Sequence, residues 1–251
     1  MNLIADTHTH TLACDHAYST INENAAAAAA KGLRFLAMTE HTPSLPGAPT
    51  QLHFGNIRMI PHLLCGVTIL KGAEVNILDY RGKLDLPDRY MEGLDWILAS
   101  MHIPSLAPGS VREHTEAWLA VAENPLVDVI GHCGDGRYPF DEETALRAFA
   151  RYGKIVEINS HSFAGRPGSA ENCPRIARLC AEHGVRVVVN SDAHFCNRVG
   201  DLGAAADMLE GIGFPEELVV NADFARFLAV AKEKAGKPAM RRHLDSLESQ
   251  S

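Results

Sequence analysis

Short apolar runs of β-type composition alternate with stretches of helical periodicity along most of the chain. Residues 2–6 (NLIAD), 33–38 (LRFLAM), 67–72 (VTILKG), 96–100 (WILAS), 127–130 (VDVI), 154–158 (KIVEI) and 185–189 (VRVVV) read as strands. Between them, residues 20–31 read as a helix, with Thr20 and Glu23 spaced as a capping box and Gly32 just past its end. Asp141 caps a helix that stops at Gly153, and Asn172 with Pro174 opens one that closes at Gly184. Two more helices are predicted near 202–210 and from Asn221, as cap, to about Lys234. The polar C-terminal tail, about 236–251 and ending MRRHLDSLESQS, is expected to fray. Repeated strand and helix units imply a parallel sheet, and about seven strands come close to the eight of a TIM barrel. No linker rich in Pro, Gly or Ser divides the chain, so a single α/β domain over 1–251 is predicted.

Composition narrows the function. The 251 residues are 46% hydrophobic and 22% charged, as in an ordinary globular protein. A formal net charge of -8 argues against an extended nucleic-acid surface, whose affinity rests on clustered Lys and Arg. No apolar run approaches a membrane span, and the N-terminus lacks the basic and apolar regions of an export signal, so a cytoplasmic protein away from any membrane is expected. Six scattered cysteines without a C-x-x-C pair read as free thiols. Thirteen histidines are the one oddity.

His8-Thr9-His10 would point two imidazoles to one face of a strand, yet at this histidine content roughly 0.7 such pairs arise by chance. Position says more. His8, His10 and His16 follow the first predicted strand, His41 the second, Glu74 the third, His102 the fourth, His132 the fifth, and Asp192 with His194 the seventh. In a barrel of parallel strands those ends ring one mouth, the face where active sites are built. Singly each has a bland reading: His41 as a loop or cap residue, Glu74 as a surface acid, His132 as a satisfied core group. Jointly, ligand-type residues at the same edge of six strands point to a metal centre. His53, His62, His114, His183 and His243 fall in predicted helices or loops and read as solvated, while His161 lies beyond the sixth strand.

The words DTHTH, HAYST, TEH, GAEVNI, SMH, GHCG, EIN and NSDAH resemble the PHP (polymerase and histidinol phosphatase) family, most closely its YcdX-like bacterial phosphatases, over residues 6–221. That resemblance implies a distorted (β/α)7 TIM-like barrel with three divalent metal ions. It implies that His8, His10, Glu74 and Asp192 hold the first ion, that Glu74, His102 and His132 hold the second with Glu74 bridging, and that His16, His41 and His194 hold the third. Glu74, Asp192 and His194 thereby belong to the catalytic centre as well. This chain departs from the family pattern at Glu40, where Asp often precedes the histidine, at Cys133, where Pro is common, and at Cys14-Asp15, where small hydroxyl residues are usual. Asp15 is a candidate to orient a metal-bound histidine. Cys14, Cys133 and Cys196 sit beside proposed ligands and read as bystanders sensitive to oxidation.

Imidazole-rich ligation suits Zn²⁺, with Mn²⁺ or Fe²⁺ as competitors. Three divalent ions against two carboxylates leave an excess of about +4, which calls for an anionic substrate. The expected activity is a phosphatase that hydrolyses phosphomonoesters of small metabolites by a metal-activated hydroxide, with no covalent phosphoenzyme. Arg166 and Arg198, beyond the sixth and seventh strands, are candidates to grip the phosphate bidentately. The alternatives are a phosphodiesterase or exonuclease-type hydrolase, a histidinol phosphatase, and a structural or metal-storage module.

Overall fold

Among the described residues eight strands form: β1 (Ala5–Thr9), β2 (Phe35–Met38), β3 (Leu63–Leu64), β4 (Val67–Asn76), β5 (Trp96–Ser100), β6 (Val129–Ile130), β7 (Ile155–Asn159) and β8 (Val187–Asn190). They come from a computed structural model that describes residues 1–236 and 238–248. Seven of them pair in parallel in the order β1-β2-β4-β5-β6-β7-β8. The eighth, β3, is a two-residue arm antiparallel to β4 across Cys65-Gly66, both at positive φ as a tight hairpin turn requires. So short an arm leaves no periodicity for a sequence reading to detect.

Side chains stitch the seam where β8 returns to β1. Asn190 Oδ1 accepts from the backbone N–H and hydroxyl of Thr7 at 2.7 and 2.8 Å, and Asp6 accepts from Ser191. At the other end of the seam Asn221 donates to the carbonyls of Ala5 and Val189 and accepts from Val189 N–H. A backbone bridge between Thr9 and Ala193 completes the nearly closed barrel. Asn221 therefore does not cap a helix as expected; Asp223 does, accepting from Arg226 N–H.

Among the described residues ten α-helices surround the sheet: α1 (Ile21–Ala30), α2 (Gln51–Asn56), α3 (Asp88–Met91), α4 (Val111–Glu123), α5 (Glu142–Arg151), α6 (Ser162–Gly165), α7 (Ser169–His183), α8 (Gly203–Gly211), α9 (Phe224–Lys234) and α10 (Pro238–Glu248). The capping box of Thr20 and Glu23 forms as predicted, Asp141 caps the start of α5, and Gly184 caps the end of α7 as predicted. Helix α7 starts at Ser169, one turn before the expected Asn172.

Helix α4 was not expected, although Ser110 and Glu113 form a second capping box at its start. Its buried stripe is His114, Ala117, Trp118 and Val121, the spacing of one helix face. His114 is accordingly a core residue rather than a solvated one. Gly109 N–H bonds one ring nitrogen at 2.8 Å, and Pro139 O lies 2.7 Å from the other.

The expected frayed tail is instead helix α10 up to Glu248, and its last residues, 249–251, lie outside the described residues, as does Lys237. Met240 and Leu244, one turn apart, are fully buried in a cluster with Phe227 of α9 and with Phe35, Trp96 and Ile155. These lie near the N-terminal ends of their strands, so α9 and α10 plug the end of the barrel opposite the predicted mouth. Two apolar residues in a polar sequence sufficed, because burying each is worth about 1.5–3 kcal/mol. Among the described residues no helix is long and apolar enough to cross a membrane.

Candidate metal centre

The C-terminal ends of the strands bring all nine predicted ligand residues into one neighbourhood. Two strands run further than expected, so His8 lies inside β1 and Glu74 inside β4, and alternation turns both inward. Glu74 is the hub. Its Oε2 lies 2.7 Å from His41 Nδ1, 3.3 Å from His8 Nε2 and 3.6 Å from His10 Nε2. Its Oε1 lies 2.9 Å from His132 Nε2 and 3.4 Å from His102 Nε2. Asp192 Oδ1 faces His10 Nε2 at 3.3 Å, His8 Nε2 at 3.5 Å and His194 Nδ1 at 3.6 Å. His16 is exposed at the rim, stacked on His41 and His194 with ring centres 5.1 and 4.8 Å apart.

Most of these contacts are close without being aligned as hydrogen bonds. His8 Nε2, both ring nitrogens of His10, His41 Nδ1, His102 Nε2, Glu74 Oε2 and Asp192 Oδ1 are buried with no hydrogen-bond partner. So many orphaned polar atoms in a protein interior are costly unless they serve a common centre. Their donor atoms gather in overlapping sets within 4.8 Å: His8, His10 and Glu74; His41, Glu74 and His102; His10, His41 and His194. Nitrogen and carboxylate donors in such sets fit divalent transition metals.

Charge is arranged to match. Burial alone would raise Glu74 and Asp192, but facing histidines, and for Asp192 also Arg166, outweigh it and hold both carboxyls well below the usual range. Burial, reinforced by neighbouring cationic groups, lowers His10 well below its ordinary value and His132 to about 4. Anionic oxygens and neutral imidazoles are the forms that bind cations; His8 is the exception, since Glu157, Glu74 and Asp192 outweigh its burial and raise it well above its ordinary value, so a cation bound there would displace its proton.

The backbone holds two of these residues in an unusual conformation. His132 and Asp192 have φ of 25° and 57°, a region costing a residue with a side chain about 1–3 kcal/mol. Gly131, just before His132, has no room for a side chain: a Cβ there would lie 2.1 Å from Ser100 Oγ.

Three functional residues escaped the sequence reading. Glu157, fully buried in β7, lies 2.6 Å from His8 Nδ1 through Oε1 and accepts from His132 N–H at 2.8 Å through Oε2. Asn76 Oδ1 sits 2.7 Å from His102 Nδ1. These two hold ring orientations, the part expected of Asp15, which is exposed. Only the word EIN hinted at Glu157, and it has no ligand spacing. Glu40 accepts from Thr11 and from the Cys14 thiol, bracing the loop after β1.

The third is Arg137, held by a fork of bonds to Asp135 and lining a cavity of about 250 Å³ with His41, His102 and Arg166. Arg166 is mostly buried and bonds Asp192 Oδ2 at 2.9 Å. Arg198 is exposed, paired with Asp201 at 3.2 Å, and lines a second cavity with His16, Asp192 and His194. His161 borders both cavities. Cys14 and Cys133 are buried, and burial pushes both thiols up, so the expected oxidation sensitivity does not hold for these two.

The PHP domain matches residues 6–161 of the chain. A probable phosphatase of Acetivibrio thermocellus is 47% identical over 93% of this chain and 97% of its own length. A probable phosphatase of Clostridium botulinum strain Hall is 44% identical over 93% of this chain and 96% of its own. In fold, the chain resembles the histidinol phosphate phosphatase of Lactococcus lactis, crystallised with zinc, L-histidinol and phosphate. The TM-score is 0.61 at 18% identity, over 86% of this chain and 95% of that one.

Proposed function

Since the chain belongs to the PHP domain family, we propose that it is a metal-dependent phosphatase acting on phosphomonoesters of small metabolites. The observation that carries this reading is Glu74, a fully buried carboxylate with five imidazole nitrogens within 3.6 Å and one oxygen left without a hydrogen bond. In the proposal three divalent ions bind. His8, His10, Glu74 and Asp192 hold one, Glu74, His102 and His132 a second, and His16, His41 and His194 a third. Zinc is the first choice, given the imidazole-rich donors and the zinc in the Lactococcus lactis structure.

When bound, such ions acidify a water and neutralise phosphoryl charge. The chain's own residues do the rest. Glu157 and Asn76 fix the rings of His8 and His102 so that each Nε2 faces Glu74. Glu157 also adds a negative charge that the sequence reading did not count, leaving an excess of about +3 before Arg166 is included. A phosphate monoester, doubly charged near neutral pH, suits that field. Arg137, half-buried, is better placed than Arg198 to take a phosphoryl oxygen, since Asp135 fixes its Nε and Nη2 and leaves Nη1 in the cavity lined by His41 and His102. Arg166 serves chiefly to hold Asp192 in place.

Elemental analysis of the purified protein, followed by a metabolite phosphatase screen with and without chelator, tests the proposal. Bound metal with chelator-sensitive phosphate release is the expected result. Metal without hydrolysis of any ester would mean a structural or storage role, and faster cleavage of bis-p-nitrophenyl phosphate than of p-nitrophenyl phosphate would mean a diesterase.

A further inference from the structure

Asp85 belongs to none of the proposed ligand sets, yet its carboxylate is saturated with donors. It lies in the loop after β4, where a backbone bridge between Ile77 and Leu84 and a bond from Asp85 N–H to Asn76 O at 3.2 Å fold the chain back on the strand end. That return sets the carboxylate against four donors: Asn76 N–H and Asn76 Nδ2, each at 2.9 Å, Ser44 N–H at 2.9 Å, and the Thr42 hydroxyl. Two of the four are backbone groups, so the position of the carboxylate is fixed by the main chain on both sides of it. Asn76, the residue it grips twice, is fully buried at the end of β4.

The two ends of the Asn76 amide have different neighbours. Nδ2 faces Asp85 Oδ2 at 2.9 Å and the Thr42 carbonyl at 3.1 Å, two groups that can only accept. The orientation of the amide is thereby forced, and Oδ1 is the end left for His102 Nδ1, 2.7 Å away. An amide oxygen accepts and never donates, so in the neutral ring Nδ1 carries the proton. Nε2, which lies 3.4 Å from Glu74 Oε1 and has no hydrogen bond, then carries the lone pair. We infer that Asp85 is a positioning residue: acting through Asn76, it sets the tautomer of His102 and so leaves Nε2 available to a divalent cation. The inference rests on the metal-centre part of the reading above and not on which ester, if any, is hydrolysed.

Asp85→Asn tests this with little change of shape. Whichever way the new amide lies, it turns its own N–H groups towards the N–H of Ser44 or of Asn76, so the grip on the Asn76 amide fails. Ring-nitrogen NMR shifts of the metal-free protein at alkaline pH, assigned against His102→Gln, should show the Nδ1–H form of His102 in the wild type. A mixture with the Nε2–H form is expected in Asp85→Asn. Zinc affinity, measured by chelator competition, should fall about tenfold or more in that variant. The same substitution made in an Asn76→Ala background should change zinc affinity by no more than about twofold, because its route to His102 is already cut. An Nε2–H ring in the wild type would overturn the inference whether or not any variant folds. A tautomer unchanged in Asp85→Asn would overturn it too, as would the full loss of affinity in the Asn76→Ala background, since a carboxylate that merely braces the loop after β2 acts independently of Asn76. Wild-type protein that takes up no zinc would instead sink the metal reading, and the NMR comparison would still decide whether Asp85 sets the ring.

Discussion

Glu157 Oε1 lies 2.6 Å from His8 Nδ1, which leaves His8 Nε2 facing Glu74 at 3.3 Å and Asp192 at 3.5 Å. A carboxylate behind a ligating imidazole fixes both its tautomer and its direction. Because the same carboxylate also receives the N–H groups of His132, Asn159 and Asn190, it braces several strand ends at once. Glu157→Gln places an amide donor among these donors. Metal affinity, measured by chelator competition, should fall about 10–100-fold. Unchanged competition curves would show that His8 needs no such partner.

Glu74 and Asp192 differ in how many groups they serve. Both oxygens of Glu74 face imidazoles, whereas one oxygen of Asp192 is engaged by Arg166. Glu74→Gln should therefore lose more metal per chain than Asp192→Asn, and more activity than any other carboxylate substitution at the site. If Glu74→Gln kept full metal content and turnover, its bridging position would be wrong.

Arg137 and Arg166, which line one cavity, should separate by phenotype. Arg137→Ala should raise KM for a phosphomonoester by about tenfold or more, the cost of a charge-assisted contact of 1.5–3 kcal/mol, with metal content intact. Arg166→Ala frees the buried Asp192 carboxylate and should reduce metal content as well as rate. Identical effects of the two substitutions on metal content would contradict this division of roles.

Stability at the opposite end of the barrel depends on the C-terminal helix. Leu244→Ala, which opens a hole beside Phe227 and Trp96, should cost about 2–5 kcal/mol in urea unfolding. A variant as stable as the wild type would mean that α10 is not docked in solution.

Asp128 gives a pH signature away from the metal centre. Burial raises its carboxyl to about 7, although Lys234 Nζ stands 3.8 Å away. The folded state thus holds this proton more tightly than the unfolded state does. Its contribution is complete below the ordinary value of 3.8 and is lost as pH rises through about 7. Stability should fall over that window by up to about 1.4 kcal/mol per pH unit from this group, and Asp128→Asn, which can still accept from Ile97 N–H, should flatten the slope. Parallel pH profiles of wild type and variant would refute the assignment.

The sequence by itself determined the alternation of strands and helices, the caps at Thr20, Asp141 and Gly184, and the nine residues that meet at the mouth. Each of these is a local signal: a period, a cap, or a ligand-type residue at a strand end. Tertiary structure alone decided that Asn221 stitches the barrel seam, that Glu157 stands behind His8, that Arg166 is bound to Asp192, and that two apolar residues dock the tail. The three hydrogen-bonded roles depend on partners 26 to 216 positions away in the chain, and the docked tail on residues of several strands. A side chain's hydrogen-bonding capacity is written in its type, but which partner uses it is settled only when the barrel closes and burial forces every polar group to find one.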